Sequence, residues 1–203
     1  MAIALIGASG RVGSRILKEL LQRGYAVTAI ARHPEQIEST AGVTAVHGDV
    51  AQTEALAATL RGHEAVVSSV QFTGTDLQAL VSAVRASEVP RWLIVGGAGS
   101  LFVRPGAQLV DEPYFPAAYR AEAGKGREFL ELLKRQSDLD WTFISPSAFF
   151  EPGERTGRYR IGGDELLTGA DGKSLISFED FAKALVDELE HPAHRQRRFT
   201  VGY

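Results

Sequence analysis

The feature that most constrains the fold is a glycine-rich turn, Gly7-Ala8-Ser9-Gly10-Arg11-Val12-Gly13, which directly follows the apolar run 2–6. A short, continuously apolar run suits a strand that is buried on both faces of a parallel sheet. Beyond the turn, Ile16 and Leu20 belong to an apolar stripe with helical spacing, and Gly24 suits the end of that helix. The sequence therefore predicts a strand, a tight turn and a helix that starts near Arg11.

This arrangement favours an anionic ligand over the turn, because unpaired amide groups and the positive end of the helix face outward. Glycine is needed where a side chain would hold a diphosphate away from the backbone. We therefore predict a dinucleotide site formed by Gly7, Ser9, Gly10, Arg11, Val12 and Gly13. The alternative is a tight strand-to-helix turn that binds nothing.

The same pattern recurs along the chain, with predicted strands at 26–31, 44–47, 64–68, 92–95 and 141–145 and helical segments between most of them. Such alternation predicts an α/β fold, a Rossmann-type doubly wound parallel sheet with helices on both faces and a small C-terminal appendage. Near the end, Ser177 and Asp180 form an S-x-x-D helix start, and 199–203 reads as a final strand.

Two irregular segments, 99–116 and 146–176, follow predicted strands at the carboxyl end of the sheet. Ligands bind at that edge in open α/β folds, and long loops in compact domains are often functional. We interpret residues 1–203 as one NAD(P)-binding domain whose substrate pocket is formed by these two loops.

Composition narrows the classes of partner. The net charge of −3 gives no field for gathering nucleic acid or anionic lipid, and no apolar run reaches the ~18 residues needed to span a bilayer. Cysteine is absent and the five histidines are scattered, so we expect no metal site. We expect a cytoplasmic protein that acts on a small molecule, without nucleic-acid or membrane partners.

The end of the second predicted strand bears on the choice of cofactor. An Asp or Glu there would bind the adenosine ribose of NAD, but this chain has Ala31-Arg32. A guanidinium offers a planar fork of donors that matches a 2′-phosphate. We predict NADP(H) with Arg32 as a ligand and Arg11 within reach of the same phosphate, and NAD(H) is the alternative.

Five segments together resemble the atypical short-chain dehydrogenase/reductase superfamily, in its compact NmrA-like, NAD(P)H-binding branch of proposed NADH-flavin reductases and biliverdin reductase B-like proteins. They are the glycine turn, Ala31-Arg32, Gly48-Asp49-Val50, the stretch 95–101 and the stretch 176–182. The resemblance implies that Asp49 and Val50 border the adenine, and Ser68 and Ser69 the adenosine side of the diphosphate. It places Gly96 and Gly97 at the nicotinamide end, which Ser145-Pro146 would line. A turn or helix cap at Asp49 and a plain loop at 96–99 are the alternatives.

The chain departs from that superfamily at the catalytic positions. Members commonly use a Tyr with a Lys four residues later, because a nearby cation makes the hydroxyl a better proton donor. Here Tyr119 is followed at the fourth place by Ala123, and Lys125 comes too late to share its helix face. Ser100 and Tyr119 are the remaining catalytic candidates.

The missing pair favours an NADPH-dependent oxidoreductase that transfers hydride to a planar conjugated acceptor such as a flavin or quinone. Aromatic residues in the two loops are available to stack on such a ring or, alternatively, to anchor the loops: Phe102, Tyr114, Phe115, Phe149 and Phe150. A non-catalytic NADP(H)-binding redox sensor that acts through a protein partner is one rival. An epimerase- or dehydratase-like enzyme is another.

Overall fold

The computed structural model describes residues 2–203 and divides the chain into two units. The first unit runs up to Ile94 and includes Asp138–Trp141, and the second comprises Val95–Ser137 and Thr142–Tyr203. The interpretation of 1–203 as a single domain stays a prediction.

The chain forms five α-helices and twelve strands within the described residues. The helices are α1 (Gly13–Gln22), α2 (Thr53–Leu60), α3 (Leu77–Ser87), α4 (Arg120–Leu133) and α5 (Phe178–Glu190). The first six strands are β1 (Ala2–Ile6), β2 (Ala26–Ala31), β3 (Val43–His47), β4 (Ala65–Ser68), β5 (Trp92–Val95) and β6 (Phe102–Arg104). The others are β7 (Ala107–Gln108), β8 (Trp141–Pro146), β9 (Phe149–Glu151), β10 (Arg160–Gly162), β11 (Leu175–Ser177) and β12 (Arg197–Gly202).

In the first unit, parallel strands lie in the order β3-β2-β1-β4-β5. The four strands β2, β1, β4 and β5 are mostly apolar and buried. Continuous runs of Val, Ile and Ala are typical of strands inside a parallel sheet. The chain adds β2 and β3 on one side of β1, then crosses to add β4 and β5 on the other. The strand order therefore reverses between β1 and β4, which is where open α/β sheets bind ligands.

In the second unit, β12 pairs in parallel with β8 and antiparallel with β10. Two small sheets join β9 to β11 and β6 to β7. Helix α4 contributes Phe129, whose ring meets Phe143 of β8 edge-on. Ser177 is the N-cap of helix α5, and its hydroxyl accepts the Asp180 amide at 3.0 Å, as the S-x-x-D sequence predicts.

The predicted fold class is confirmed as a mostly parallel, Rossmann-like α/β arrangement. Helix α1 begins at Gly13, two residues after Arg11 and close to the predicted start, and Val12 is its N-cap. The segments 99–116 and 146–176 are less irregular than expected, since they contain short strands such as β9, whose Phe149 pairs with Leu175 of β11. Such pairing depends on tertiary contacts and leaves no periodicity in three residues.

Among residues 2–203, no helix combines the length and apolar character that crossing a bilayer requires. No group of three or more acidic or histidine side chains in the same range is placed to hold a metal ion.

Candidate functional site

The glycine turn leaves β1 at the point where the strand order reverses. Gly7 has a φ of 80°, and its amide donates to the Ile30 carbonyl at 2.9 Å. The Gly10 amide closes the turn on the Gly7 carbonyl at 3.0 Å, and Ser14 donates the first bond of the helical run to the Gly10 carbonyl at 2.9 Å. The amides just before Ser14 stand at a helix N-terminus, the position from which backbone groups bind anions.

The three glycines of the motif serve different purposes. A Cβ on Gly7 would lie 2.1 Å from the Ser69 carbonyl oxygen, and one on Gly13 would lie 2.1 Å from the Gly7 carbonyl oxygen. Both are therefore required by the packing of the turn. A Cβ on the exposed Gly10 would meet only the Gly7 carbonyl oxygen, at 3.2 Å. The packing of the turn therefore does not account for a glycine at position 10. Close approach of a ligand to the protein backbone accounts for it better.

The remaining predicted ligands of the first unit fall into two groups. Arg32 is exposed at the end of β2, and Val50 is half-buried after β3. Asp49 stabilises a turn, which was the alternative to an adenine contact: its carboxylate accepts the Ala51 amide at 3.0 Å. That bond uses Oδ1 of the carboxylate, and Oδ2 could still accept a hydrogen bond from an adenine. The turn and an adenine contact are therefore compatible.

Ser68 and Ser69 lie at the end of β4. The Ser68 side chain is buried, and its hydroxyl accepts the indole N–H of Trp92 at 3.0 Å. Ser69 donates its amide to the Ile6 carbonyl at 2.9 Å, which brings its own carbonyl against Gly7. Ser68 therefore supports the strand, and Ser69 is the one of the two that borders the turn.

In the second unit, Gly96 packs closely on β8. Its amide donates to the Ile144 carbonyl at 2.8 Å, and a Cβ would lie 2.3 Å from the Phe143 ring. Gly97 follows as a half-buried residue, while Ser145 and Pro146 are buried at the end of β8. A structural requirement thus accounts for Gly96.

Tyr119 and Lys125 do not form a catalytic pair. The Tyr119 side chain is 66% exposed at the residue before α4, and the Lys125 ammonium donates to Glu128 at 2.7 Å. Among residues 2–203, the tyrosine thus has no cation partner of the kind that the superfamily relay uses.

Ser100, by contrast, has a partner that sequence reasoning missed. The Arg198 Nη1 of β12 donates to the Ser100 hydroxyl at 3.2 Å and lies 3.4 Å from the Ser145 hydroxyl. The guanidinium also pairs with Asp164. Since Ser100 and Arg198 are 98 positions apart, no motif could have joined them.

Some of the aromatic residues predicted to stack on an acceptor anchor their loops to the core, and others are exposed. Phe150 packs on the rings of Phe178 and Phe181, at 4.6 and 4.8 Å between centroids, so it anchors its loop. Phe115 lies beside the Arg120 guanidinium. Tyr114 and Phe149 are 67% and 61% exposed, and they are the rings still available to a ligand.

A family model described as NAD(P)H-binding matches residues 7–192, from the first glycine of the turn to two residues past the end of α5. The chain belongs to this NAD(P)H-binding family. The predicted membership of a compact NAD(P)H-binding branch is thereby confirmed, and the structural neighbours include a proposed NADH-flavin reductase.

Three relatives of this NAD(P)H-binding chain cover nearly its whole length. The uncharacterised protein YwnB of Bacillus subtilis strain 168 is 41% identical over 99% of this chain and 98% of its own length. A proposed epimerase of Bacteroides thetaiotaomicron is 42% identical, with a TM-score of 0.94 over 100% of this chain and 96% of that one. A proposed NADH-flavin reductase of Streptococcus pneumoniae TIGR4 is 32% identical, with a TM-score of 0.87 over 100% and 99%.

The residues present fit the cofactor that the NAD(P)H-binding family implies. Gly10 leaves the outer side of the turn without a side chain, at a helix N-terminus beside the strand-order reversal. A diphosphate would meet amide donors there, and its two negative charges suit the positive end of α1.

Proposed function

We propose that the chain is an NADPH-dependent oxidoreductase that passes a hydride to a planar conjugated acceptor such as a flavin or quinone. A reduced nicotinamide supplies the hydride when bound. The observation that carries the proposal is the combination of an open glycine turn with a 66% exposed Tyr119, while Lys125 is bonded to Glu128 instead of to this tyrosine. Reduction of a conjugated ring needs no Tyr–Lys relay, because the ring system itself accepts the electrons.

The cofactor ligands that we propose come from the turn and from the carboxyl ends of β2, β3, β4, β5 and β8. They are Gly7, Ser9, Gly10, Arg11, Val12, Gly13, Arg32, Asp49, Val50, Ser68, Ser69, Gly96, Gly97, Ser145 and Pro146. Within this set Arg32 selects NADPH over NADH, since an exposed guanidinium at the end of β2 suits a 2′-phosphate and no carboxylate stands beside it in the sequence 24–34.

The acceptor class is supported by the name of the Streptococcus relative, a proposed NADH-flavin reductase. The exposed rings of Tyr114 and Phe149 suit stacking on a flat conjugated ligand. We place the Ser100 hydroxyl against the acceptor. Tyr119 contributes at most an aromatic side of the acceptor pocket and no proton.

The Bacteroides relative, a proposed epimerase, supports a different reaction. Epimerases and dehydratases of this superfamily resemble dehydrogenases in their need for a proton-transferring Tyr and Lys. Lys125 is engaged by Glu128 and Tyr119 is followed by Ala123 at the fourth place, so this second candidate lacks its catalytic base.

The test is steady-state oxidation of NADPH and NADH by the purified protein with three acceptor classes: free flavins, quinones and simple carbonyls. We expect turnover with flavins or quinones, little with carbonyls, and a higher kcat/KM for NADPH. Binding of NADPH without turnover of any acceptor would favour the redox sensor, and efficient carbonyl reduction would contradict the proposed acceptor class.

A further inference from the structure

The second unit contains a buried cation that the proposed cofactor site does not use. The Arg198 side chain is 2% exposed, whereas its carboxylate partner Asp164 is 57% exposed. Nε donates to Asp164 Oδ1 at 2.7 Å, and Nη2 contacts the same oxygen. A guanidinium in a protein is always charged, and a buried charge needs partners on every side.

The other edge of the guanidinium faces two buried hydroxyls, and in the described part of the chain Asp164 is its one carboxylate partner. Nη1 donates to Ser100 Oγ at 3.2 Å and approaches Ser145 Oγ at 3.4 Å. A serine hydroxyl that accepts one hydrogen bond keeps its own hydrogen to donate. Within residues 2–203 the bond from Arg198 leaves the hydrogen of the Ser100 hydroxyl unengaged, although the residue is only 2% exposed.

The backbone around Ser100 is fixed from several directions. The Gly99 carbonyl accepts the Val110 amide at 2.9 Å, and the Phe102 amide donates to the Asp164 carbonyl at 2.8 Å. The Phe102 carbonyl in turn accepts the Leu166 amide at 2.9 Å. Ser100 and Arg198 are thus held by one connected set of bonds that runs through the 164–166 segment, which is the preorganisation that charge stabilisation requires.

We propose that Arg198 is a positioning residue that acts through Ser100, and that together they form an oxyanion site for the acceptor. This inference rests on the proposed function and adds the group that stabilises the reduced acceptor. A hydroxyl whose oxygen accepts from a buried guanidinium is a stronger donor, because the low-dielectric surroundings raise the effect of the neighbouring charge. The Ser–Arg arrangement thereby stabilises charge on the reduced acceptor, a role that is separate from the proton transfer of a Tyr–Lys relay.

The chemistry of quinone reduction places negative charge where a cation can stabilise it. Hydride transfer to a quinone breaks the C4–H bond of the reduced nicotinamide and brings two electrons and one proton to the acceptor. The nicotinamide is oxidised, and the hydroquinone is left with negative charge on one ring oxygen. The Ser100 hydroxyl donates to that oxygen, and a proton from water completes the hydroquinone.

Asp164 separates this proposal from a purely structural ion pair. If the Arg198–Asp164 ion pair only holds the 164–166 segment in place, removal of either side chain breaks the same ion pair. Both variants should then weaken ligand binding to the same extent. If Arg198 acts electrostatically on Ser100, loss of its charge weakens oxyanion binding, whereas loss of the Asp164 charge leaves Arg198 less neutralised and preserves or strengthens it. The two variants are then expected to differ in direction.

The experiment uses halogenated 1-naphthols with the full-length protein saturated with NADP⁺, and turnover is not needed. The naphtholate absorbs at longer wavelength than the naphthol, so the spectrum of the bound ligand reports its ionisation. We expect the parent to bind the more acidic naphthols more tightly and in the ionised form. Arg198→Met should lower naphtholate affinity by about ten- to a hundredfold, the range for a hydrogen bond to a charged group.

Matched variants complete the test. Asp164→Asn should keep or raise the affinity, and Arg198→Lys should restore part of it because the charge remains. Ser100→Ala should lose as much as Arg198→Met, and the double variant should lose no more than either single change if Arg198 acts through Ser100. Thermal unfolding of each variant checks the fold, and if Arg198→Met fails to fold, Arg198→Lys and Ser100→Ala carry the comparison.

Equal losses in Arg198→Met and Asp164→Asn, additive losses in the double variant, or no ionised naphthol bound to the parent would each overturn the inference. The proposed function is tested separately. Quinone turnover without an Arg198-dependent naphtholate signal refutes the inference alone, and the naphtholate signal without turnover of any acceptor refutes the proposed reaction alone.

Discussion

The glycine turn offers the sharpest single perturbation, replacement of Gly10 by Val. The backbone of Gly10 is outside the left-handed region, and the new Cβ would lie 3.2 Å from the Gly7 carbonyl oxygen. That distance is a few tenths of an ångström short of an ordinary contact, so the turn needs only a small shift. We therefore expect the fold to persist with a modest loss of stability.

Dinucleotide binding should respond far more strongly, because the added branch occupies the outer side of the turn. A hydrogen bond to a charged group contributes about 1.5–3 kcal/mol, so the loss of two amide–diphosphate bonds weakens binding by roughly 3–6 kcal/mol. At about 1.4 kcal/mol per tenfold change, affinity falls by roughly a hundred- to ten-thousandfold.

The assay is a titration of NADPH fluorescence alongside thermal unfolding, with Gly13→Ala as the comparison. A Cβ on Gly13 would lie 2.1 Å from the Gly7 carbonyl oxygen, so this variant should lose stability through overpacking, typically 1–3 kcal/mol. A Gly10→Val protein that folds and binds NADPH as the parent does would refute the assignment of the turn.

Three further outcomes are expected. Calorimetry should show that Arg32→Ala reduces the preference for NADPH over NADH by about ten- to a hundredfold, and equal affinities in the parent would contradict the role of Arg32. Tyr119→Phe should change quinone or flavin turnover by less than about tenfold, whereas removal of a true general acid typically lowers rates by about 10²–10⁴. Burial is the main cause that raises the pKa of Tyr203, and its hydroxyl also donates to Asp180 at 2.7 Å. A raised folded-state pKa gives stability that is complete below the unfolded value of about 10 and is lost as the pH rises through the folded value, so melting temperatures above that pH should fall more steeply for the parent than for Tyr203→Phe.

Much of the fold follows from local patterns. The run Ala2–Ile6, the glycine turn and Gly24 at a φ of 79° mark the first strand, turn and helix end, because each depends on residues close in sequence. The N-cap of α5 at Ser177 follows in the same way, since a cap involves residues three positions apart.

The candidate site was harder to predict from local sequence patterns than the fold was. Ser100, Ser145 and Arg198 come together only through the pairing of β12 with β8 and the bonding of the 164–166 segment to Phe102, and no local pattern encodes either. Likewise Gly96 looks like a ligand position in the sequence, but the Phe143 ring against it comes from a strand more than forty residues away.

The measurement that tests the central claim most directly is pre-steady-state oxidation of NADPH mixed with the protein and an excess of a quinone. It is repeated with NADPH that carries deuterium at either face of C4. We expect loss of the reduced-nicotinamide absorbance well above the protein-free rate, slowed by deuterium on one face only, because hydride leaves from a single orientation in a bound complex. NADPH that binds but is oxidised no faster than without the protein, or with no isotopic preference between the faces, would contradict the account.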